Sequence, residues 1–345
     1  MKCSEWKCCV MIAIALLALS TASMAAEYAS YAEADDAATQ AANAAAPAAV
    51  PAPEKGPPLP FITIEGVGGG AFTPMAYLVN PAGECETWGK PSVAMDYIGL
   101  GRKNLSSLLV TENLLGRIEF GFAADRLGLG TLPTDINNTF HNPNLIDNSD
   151  VWLYNFNARI LAIKENANDN NYIPAVTFGA NYKYNGDIAE INNKLGGALT
   201  AIGYASDNGV DLTLTATKTL PHGFFCKPLI VTAGLRESEA ADLGFLGFSN
   251  HYTASFEGSI AALPFDKWLV AYEFRQHASP YGNIGPGGTI VTPTTLIGVE
   301  NNWNGFDLAY IISNHATLVG GLGLFGNLAN EKADNAWWLQ LKYEF

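Results

Sequence analysis

The chain has 345 residues, of which 48% are hydrophobic and 15% charged, and its formal net charge is −14. This acidity excludes a nucleic-acid partner, since phosphate recognition needs a basic surface. After residue 26 there is no run of 18 or more apolar residues, so the sequence predicts no membrane-spanning helix.

The N-terminal residues have the pattern of a secretory signal peptide, which we place at residues 1–25. Lys2 and Lys7 give a basic start, residues 10–19 form an apolar core, and residues 23–25 are a small-x-small cleavage site. A core of this length is too short to cross a bilayer as a helix. We therefore expect an exported protein.

Residues 26–60 differ in composition from the rest of the chain. They are rich in alanine up to residue 46, and residues 47–60 then contain six prolines. Neither part has the apolar stripe that a packed core needs, and the prolines favour an extended chain. The sequence predicts a disordered Ala/Pro-rich periplasmic spacer, for which a periplasmic partner is one alternative.

The last ten residues show the clearest strand pattern. One face is apolar with aromatic ends: Trp337, Leu339, Leu341, Tyr343 and Phe345. The other face is largely polar: Ala336, Trp338, Gln340, Lys342 and Glu344. A strand between lipid and a lumen needs this alternation over about ten residues. A strand that ends on an aromatic residue also resembles the signal that barrel-assembly machinery reads, so we assign the five apolar residues as an assembly signal.

The same alternation recurs along the chain in fourteen candidate strands. They are residues 92–101, 105–112, 115–125, 151–163, 173–185, 196–206, 209–219, 228–236, 250–262, 267–278, 294–301, 305–314, 315–326 and 336–345. Their polar faces carry Asn, Thr and few charges, unlike the surface of a soluble sandwich. The sequence predicts an all-β fold, a transmembrane antiparallel β-barrel over residues 61–345 in the outer membrane of a Gram-negative bacterium.

Barrels of this type have an even number of strands. Because the candidates near residues 105–112 and 305–326 could be fewer and longer strands, we predict 12 strands, with 14 as the alternative. The Gly-, Asn- and Pro-rich residues 128–150 and 279–293 are expected to be extracellular loops. Counting loops from the C-terminus does not place all the long ones on one side, so the orientation stays open.

Residues 61–81 fit neither the spacer nor a clear strand. We expect them to form either a first strand or a compact segment inside the lumen.

Charged residues on the predicted inner faces are candidates for the lumen lining: Arg117, Glu119, Arg159, Lys183, Arg236, Glu257, Glu273, Arg275 and Glu300. They would act either as a selectivity lining for a solute or as a self-neutralising network that fills a narrow barrel. Both alternatives stay open.

Motifs for other chemistry are weak. Gly321, Gly323 and Gly326 match a nucleotide-binding glycine pattern, but they lie in a strand-like run with no following helix. His277 and Ser279 have the spacing of outer-membrane phospholipases, yet His277 continues the predicted lumen face. No His-x3-His or Cys-x2-Cys pattern marks a metal site. We expect no enzyme activity, no metal and no cofactor.

Cys85 and Cys226 are the two cysteines that follow the signal peptide. Export into an oxidising compartment permits a disulfide between them. The sequence cannot show whether their Cα atoms come close enough. A disulfide and two independent thiols therefore remain equal alternatives.

Five short motifs resemble the domain of unknown function family 3034: LPF at residues 59–61, EGVGGG at 65–70, YLVNP at 77–81, GRIE at 116–119 and EFRQ at 273–276. The resemblance covers residues 60–345. It implies an exported bacterial protein with an outer-membrane barrel, and it carries no established activity.

The sequence thus predicts an outer-membrane barrel that acts as a passive channel or a small-solute transporter of unknown substrate. A non-conducting structural or surface-interaction barrel is the alternative, and a barrel lipid hydrolase is a more remote one. The expected partners are outer-membrane lipid and the barrel-assembly machinery.

Overall fold

A computed structural model of the protein describes residues 57–83, 85–277, 280–281, 300–328, 331–333 and 335–345, with the backbone alone at residues 331 and 332. The predicted signal peptide and most of the predicted spacer lie outside these ranges. The helices within them are all too short or too polar to span a bilayer.

Two short strand pairs and twelve long strands make up the described sheet structure. The short pairs are β1 (Phe61–Ile62) with β2 (Gly68–Gly69), and β14 (Asn327–Leu328) with β15 (Glu331–Lys332). The long strands are β3 (Ser92–Leu100), β4 (Lys103–Leu114), β5 (Ile118–Gly128), β6 (Asp150–Ile163), β7 (Ala175–Asn185), β8 (Asn208–Phe224), β9 (Lys227–Ala240), β10 (Phe248–Phe265), β11 (Trp268–Arg275), β12 (Trp303–Ile311), β13 (Ala316–Leu324) and β16 (Ala336–Glu344).

The long strands form one closed barrel. Each pairs antiparallel with its neighbours, and β16 pairs with β3, so that Trp337 lies opposite Gly99 and Glu344 opposite Ser92. A closed sheet leaves no strand edge with unpaired backbone groups, which is a requirement for spanning a bilayer with strands. The predicted antiparallel barrel of 12 strands is confirmed.

Two of the fourteen candidate strands from the sequence analysis are not strands of the barrel. Residues 196–206 were predicted as a strand, but this was wrong, because they contain a helix at Ala198–Ile202. Leu199 and Ile202 are three apart, a helical spacing that places them on one side, and Gly197 and Gly203 flank them with positive φ. The other candidate, 294–301, lies outside the described residues except for Glu300 and Asn301, which are not in a strand.

In the described part of the connections there are three short α-helices: α1 (Leu132–Thr139), α2 (Ile188–Lys194) and α3 (Ala198–Ile202). Two 3-10 turns are at Ala167–Asp169 and Asp242–Gly244. The α-helices all lie at the same end of the barrel, because each follows a strand that runs away from the chain termini.

The outer surface of the wall is apolar. In β16, Trp337, Leu339 and Leu341 are about half exposed, while Gln340 and Lys342 on the other face are buried. Aromatic pairs lie on the same outer surface, with Tyr97 against Trp337 and Trp268 against Tyr310. An apolar belt with aromatic residues around a closed barrel is the surface that faces lipid in the outer membrane.

The two ends of the barrel differ in their connections. The chain enters β3 and leaves β16 at one end, here called the terminal end, where the turns at residues 115–117, 225–226 and 266–267 are short. The opposite end, here called the loop end, carries the long connections at residues 129–149 and 186–207.

Candidate functional site

Residues 57–81 run through the inside of the barrel and are here called the plug. Ile62, Thr63 and Phe72 have at most 2% of their surface exposed. The strands β1 and β2 pair with each other and not with the wall. The plug is therefore a lumen segment and not a first barrel strand. Twelve strands enclose a lumen wide enough for such a segment, between the filled small barrels and the open porins.

Glu65 is the plug residue with the most charged surroundings. Its carboxylate lies 2.8 Å from Arg275 Nη1, 2.9 Å from Arg236 Nη2 and 2.5 Å from Lys183 Nζ. Burial alone would raise the pKa of Glu65, but the charges of these three cations hold it well below its usual range. The carboxylate is therefore ionised when the plug is in place.

The wall supplies two further carboxylates to the same cluster. Asp211 lies 2.8 Å from both Lys183 and Arg236, and Glu257 lies 3.1 Å from Arg236. Five consecutive strands, β7 to β11, contribute one member each. The three carboxylates and the three cations balance in charge, which buried ion clusters need because unpaired charge is costly away from water.

A second ion pair holds the plug from the two strands next to that cluster, β5 and β6. Arg159 donates from Nε to Glu119, with 2.8 Å between the atoms, and its Nη2 donates to the carbonyl of Tyr77 over 2.7 Å. Glu119 accepts the backbone N–H groups of Gly68 and Val79 at 2.9 and 2.6 Å. The pair therefore binds plug backbone in two separate places.

Glu273 binds the plug through its backbone amides. Its carboxylate accepts the N–H groups of Ala71, Phe72 and Thr73 at 2.6, 3.3 and 2.7 Å, and also the Thr73 hydroxyl. Successive amides that converge on one carboxylate form an anion-binding concavity. The chain direction of the plug is set by this contact.

The plug begins earlier than predicted. Lys342 donates to the carbonyls of Pro58, at 3.2 Å, and of Pro60, and it pairs with Glu344 at 2.5 Å. Gln340 donates to the carbonyl of Ile62 at 2.6 Å. Residues 57–60, which the sequence placed in the spacer, therefore lie inside the barrel at its terminal end.

Glycines permit the closest approach between plug and wall. Gly66 has φ +81° and passes directly over Gly121 of β5. A Cβ on Gly121 would lie 1.8 Å from the Gly66 carbonyl oxygen, and one on Gly66 would lie 2.8 Å from the Phe122 backbone. Only glycine fits both positions without movement of the backbone.

The loop-end half of the lumen is apolar. Phe72 lies at the top of the plug, the part of the plug nearest the loop end. Its ring makes edge-on contacts with three aromatic rings, with centroid distances of 5.7 Å to Trp303, 5.5 Å to Phe325 and 6.0 Å to Trp338. Trp338 is the aromatic residue on the otherwise polar face of β16. Gly321 and Gly323 face this ring, and a Cβ on Gly321 would lie 2.1 Å from Trp338. Close packing therefore accounts for these glycines of the nucleotide-like motif.

Seven of the nine predicted lining residues lie in the clusters that hold the plug: Glu119, Arg159, Lys183, Arg236, Glu257, Glu273 and Arg275. Arg117 does not, because it lies in the turn before β5 and donates to the carbonyl of Leu161. Glu300 lies beyond β11, with its carboxylate 3.0 Å from His277 Nδ1. Burial raises the pKa of Glu300 and lowers that of His277, so burial opposes charge on both partners of this contact.

Sequence reasoning missed Glu65, Asp211 and Lys342 as members of the site. Asp211 and Lys342 were assigned to polar strand faces, which was the available signal for both. Glu65 had no such signal, because it lies in no long strand.

The remaining candidates take no part in this site. Cys85 and Cys226 are both exposed free thiols, so no disulfide joins them in the structure. His277 stacks on Trp303 with ring centroids 4.6 Å apart and so faces inward, while Ser279 lies outside the described residues. Within the described ranges, no three His, Cys, Asp or Glu residues converge where a metal ion could bind.

Comparison with solved structures finds other barrels at low similarity. The KdgM porin in complex with disordered oligogalacturonate is 9% identical with a TM-score of 0.43, over 74% of this chain and 99% of that one. The NanC porin is 9% identical with a TM-score of 0.40, over 74% of this chain and 98% of that one. The outer membrane protein Omp33 of Acinetobacter baumannii is 7% identical with a TM-score of 0.37, over 75% of this chain and 99% of that one. These scores are too low to carry an argument about function.

None of the curated proteins compared with the chain matches it. A family model matches residues 60–342, which include the plug and almost the whole barrel. The chain therefore belongs to the family described as "Protein of unknown function (DUF3034)".

Proposed function

We propose that the protein is a small-solute transporter of the Gram-negative outer membrane, in which the plug closes the resting barrel and must move before a solute passes. The observation that carries this proposal is the path of residues 57–81 through the lumen, where the ion cluster of β7 to β11 and the Arg159–Glu119 pair of β5 and β6 hold them. A permanently open passive channel does not agree with a lumen occupied in this way.

The chemistry of the plug contacts supports movement. Wall and plug meet through carboxylates, guanidinium groups and backbone amides, which water can also solvate when the two separate. Buried ion pairs contribute little net stability compared with apolar packing of the same volume. These polar contacts are therefore more easily exchanged for water than the apolar contacts of the plug, in which Phe61, Ile62 and Phe72 pack against wall residues.

The predicted export and spacer fit the same proposal. The plug begins at the terminal end, where short turns are typical of the periplasmic side of outer-membrane barrels. The residues that precede it would then lie in the periplasm after signal-peptide removal. A periplasmic partner that binds the spacer could displace the plug from that side.

Planar-bilayer recording of the purified protein tests the proposal. We expect few or no openings of the wild-type barrel and a steady conductance after deletion of residues 57–81. Folding of the deletion variant is checked by gel mobility before and after boiling. If that variant fails to fold, the double variant Glu119→Gln, Arg159→Met removes one of the two holding pairs and should open intermittently.

Two results would contradict the proposal. Equal conductance of the wild type and a folded deletion variant would show that the plug is not the barrier. Absence of conductance in every folded variant would favour the second candidate, a structural barrel. The balanced cluster of three carboxylates and three cations is the observation that supports that candidate, because it is also what a self-neutralising filler would require.

A further inference from the structure

An apolar cavity lies at the loop end, where a membrane channel usually presents polar groups to its solute. This upper cavity lies between the helices α1, α2 and α3 and the loop-end residues of β5 and β6. Ile136, Ile191 and Leu199 point into it. The space that the centre of a water-sized molecule can reach in it is about 70 Å³. One water molecule needs about 10–15 Å³ on this measure, and ordinary packing between helices leaves few voids larger than that.

The chemistry of the lining is uniform. All sixteen described residues that line this upper cavity are Leu, Ile, Val, Ala, Pro or Phe. The charged residues of the neighbouring loops pair with one another, since Lys194 contacts Asp147 and lies 2.6 Å from Glu190. The side chains of the lining therefore have no hydrogen-bonding or charged group that could replace the water around a charged solute.

A second apolar cavity continues from the upper one toward the plug. This lower cavity is smaller, with about 20 Å³ of such space, and is lined by Ile64 and Phe72 of the plug and by Trp338 of the wall. Leu127 and Phe245 line both cavities, and their exposed fractions are only 1% and 3%. These two side chains therefore form the partition between the cavities.

We propose that the two cavities are the binding route of an uncharged, hydrocarbon-like solute, which enters at the loop end and reaches the top of the plug past Leu127 and Phe245. This proposal rests on the proposed function, of which it names the substrate class. An apolar cavity stays dry and binds apolar molecules, because the solute leaves water without losing a polar partner. An acyl chain with a free carboxylate is rejected, since its charge would be buried without a counter-ion.

Photolabelling of the purified full-length protein with an alkyl diazirine tests the site. We expect mass spectrometry to find labels in residues 129–146 and 188–202, in addition to those on the lipid-facing wall. An excess of decane should remove the loop labels, and an excess of decanoate should not. Labels confined to the lipid-facing wall would overturn the proposal and leave the cavity as loop packing.

Matched variants sharpen the result. Ile191→Asn introduces an amide into the lining and should lower the loop labelling at least about fivefold. Leu308→Asn is the control, because Leu308 is exposed on the lipid-facing side of β12, and the loop labelling should change less than about twofold. Equal effects of the two substitutions would refute the upper cavity as a binding site.

The route between the cavities has its own test. Phe245→Ala should extend the labelling down to the residues around Phe72 and Trp338, whereas Phe245→Trp should confine it to the upper cavity. An unchanged pattern in both variants would refute the route.

Labelling needs no transport, so this inference and the proposed function can fail separately. Loop labelling without conductance of any folded variant refutes the transporter alone, and conductance without loop labelling refutes the apolar site alone.

Discussion

Among single residues, Glu65 has the largest influence on how the plug is held. Its carboxylate is the one plug group that contacts three buried cations, and each of them comes from a different strand. Removing one partner of a buried ion pair leaves the others without compensation, which costs more than the pair contributes when intact. The plug should therefore be sensitive to this position.

Glu65→Gln tests the importance of this charge, because it removes the charge with almost no change in side-chain size. We expect the seated plug to be destabilised by about 3–5 kcal/mol, because three cations would then face only Asp211 and Glu257. Planar-bilayer recording should show more frequent openings than in the wild type. Glu86→Gln is the control, because Glu86 is exposed and accepts only from the Gly83 amide among the described contacts. Identical recordings of the two variants would contradict the role of Glu65.

Gly121 tests the close approach of plug and wall. Gly121→Ala places a methyl group on the Gly66 carbonyl, so the plug must shift and openings should become more frequent. Gly320→Ala in β13 is the matched control, because its nearest contact would be an ordinary 3.7 Å. The same gating in both variants would show that the contact at Gly66 does not hold the plug.

Among the elements, β16 has two separate roles. Its outward residues face lipid, and its inward residues Gln340 and Lys342 bind the plug. It also closes the barrel by pairing with β3. The last strand therefore combines closure of the barrel with contacts to lipid and to the plug, and its proposed role in assembly adds to these.

Deletion of Phe345 tests the assembly role. Phe345 packs against Tyr343 with ring centroids 5.0 Å apart, and its backbone N–H donates to Pro91 at the terminal end. We expect the deletion to lower the amount of folded protein in the outer membrane more than any change in residues 26–56. Membrane fractionation with gel mobility before and after boiling measures this amount. Wild-type levels of the truncated protein would count against the assembly signal.

At the scale of the whole molecule, the lumen is divided into two layers. The charged layer binds the plug from β5 to β11, and the apolar layer at the loop end surrounds Phe72. At the terminal end, residues 164–174 are the one described connection longer than four residues, whereas the loop end has the longer connections 129–149 and 186–207, which predicts that the loop end faces the outside of the cell.

Thiol labelling of intact cells tests this orientation. In a variant without Cys85 and Cys226, a cysteine replacing the exposed Asn193 in α2 should react with a membrane-impermeant maleimide. Native Cys226 lies in a terminal-end turn and should react only after the outer membrane is permeabilised. The reverse pattern would place the loop end in the periplasm.

The failure to orient the barrel from its sequence has a simple cause. Each extra strand exchanges the two sides for all the loops that precede it. The barrel pairs β11 directly with β12, so the candidate 294–301 added one such exchange, and residues 196–206, which contain α3, added a second for the loops before them. A short segment with apolar residues at mixed spacing fits either a helix or a strand. Only its packing over the upper cavity distinguishes the two.

The sequence by itself determined the barrel and the direction in which most of its strand side chains point. These follow from an alternation of period two, which is a local property that lipid on one side and a lumen on the other impose on each strand. The charged wall residues around Glu65 and Glu119 that were assigned to the lumen lining for the same reason are Arg159, Lys183, Arg236, Glu257 and Arg275. The count of twelve was chosen because 105–112 and 305–326 were expected to be fewer and longer strands, whereas the structure keeps those strands separate and has a helix within 196–206 instead.

The tertiary structure decided what the lumen contains. Glu65 meets Lys183 and Arg275 across 118 and 210 residues of chain, and no local pattern records which strands face each other across a barrel. The plug has no periodic pattern of its own, since its backbone is satisfied by wall side chains instead of a continuous ladder. The apolar cavities likewise arise where separate loops meet, so their chemistry becomes visible only when the barrel has brought those loops together.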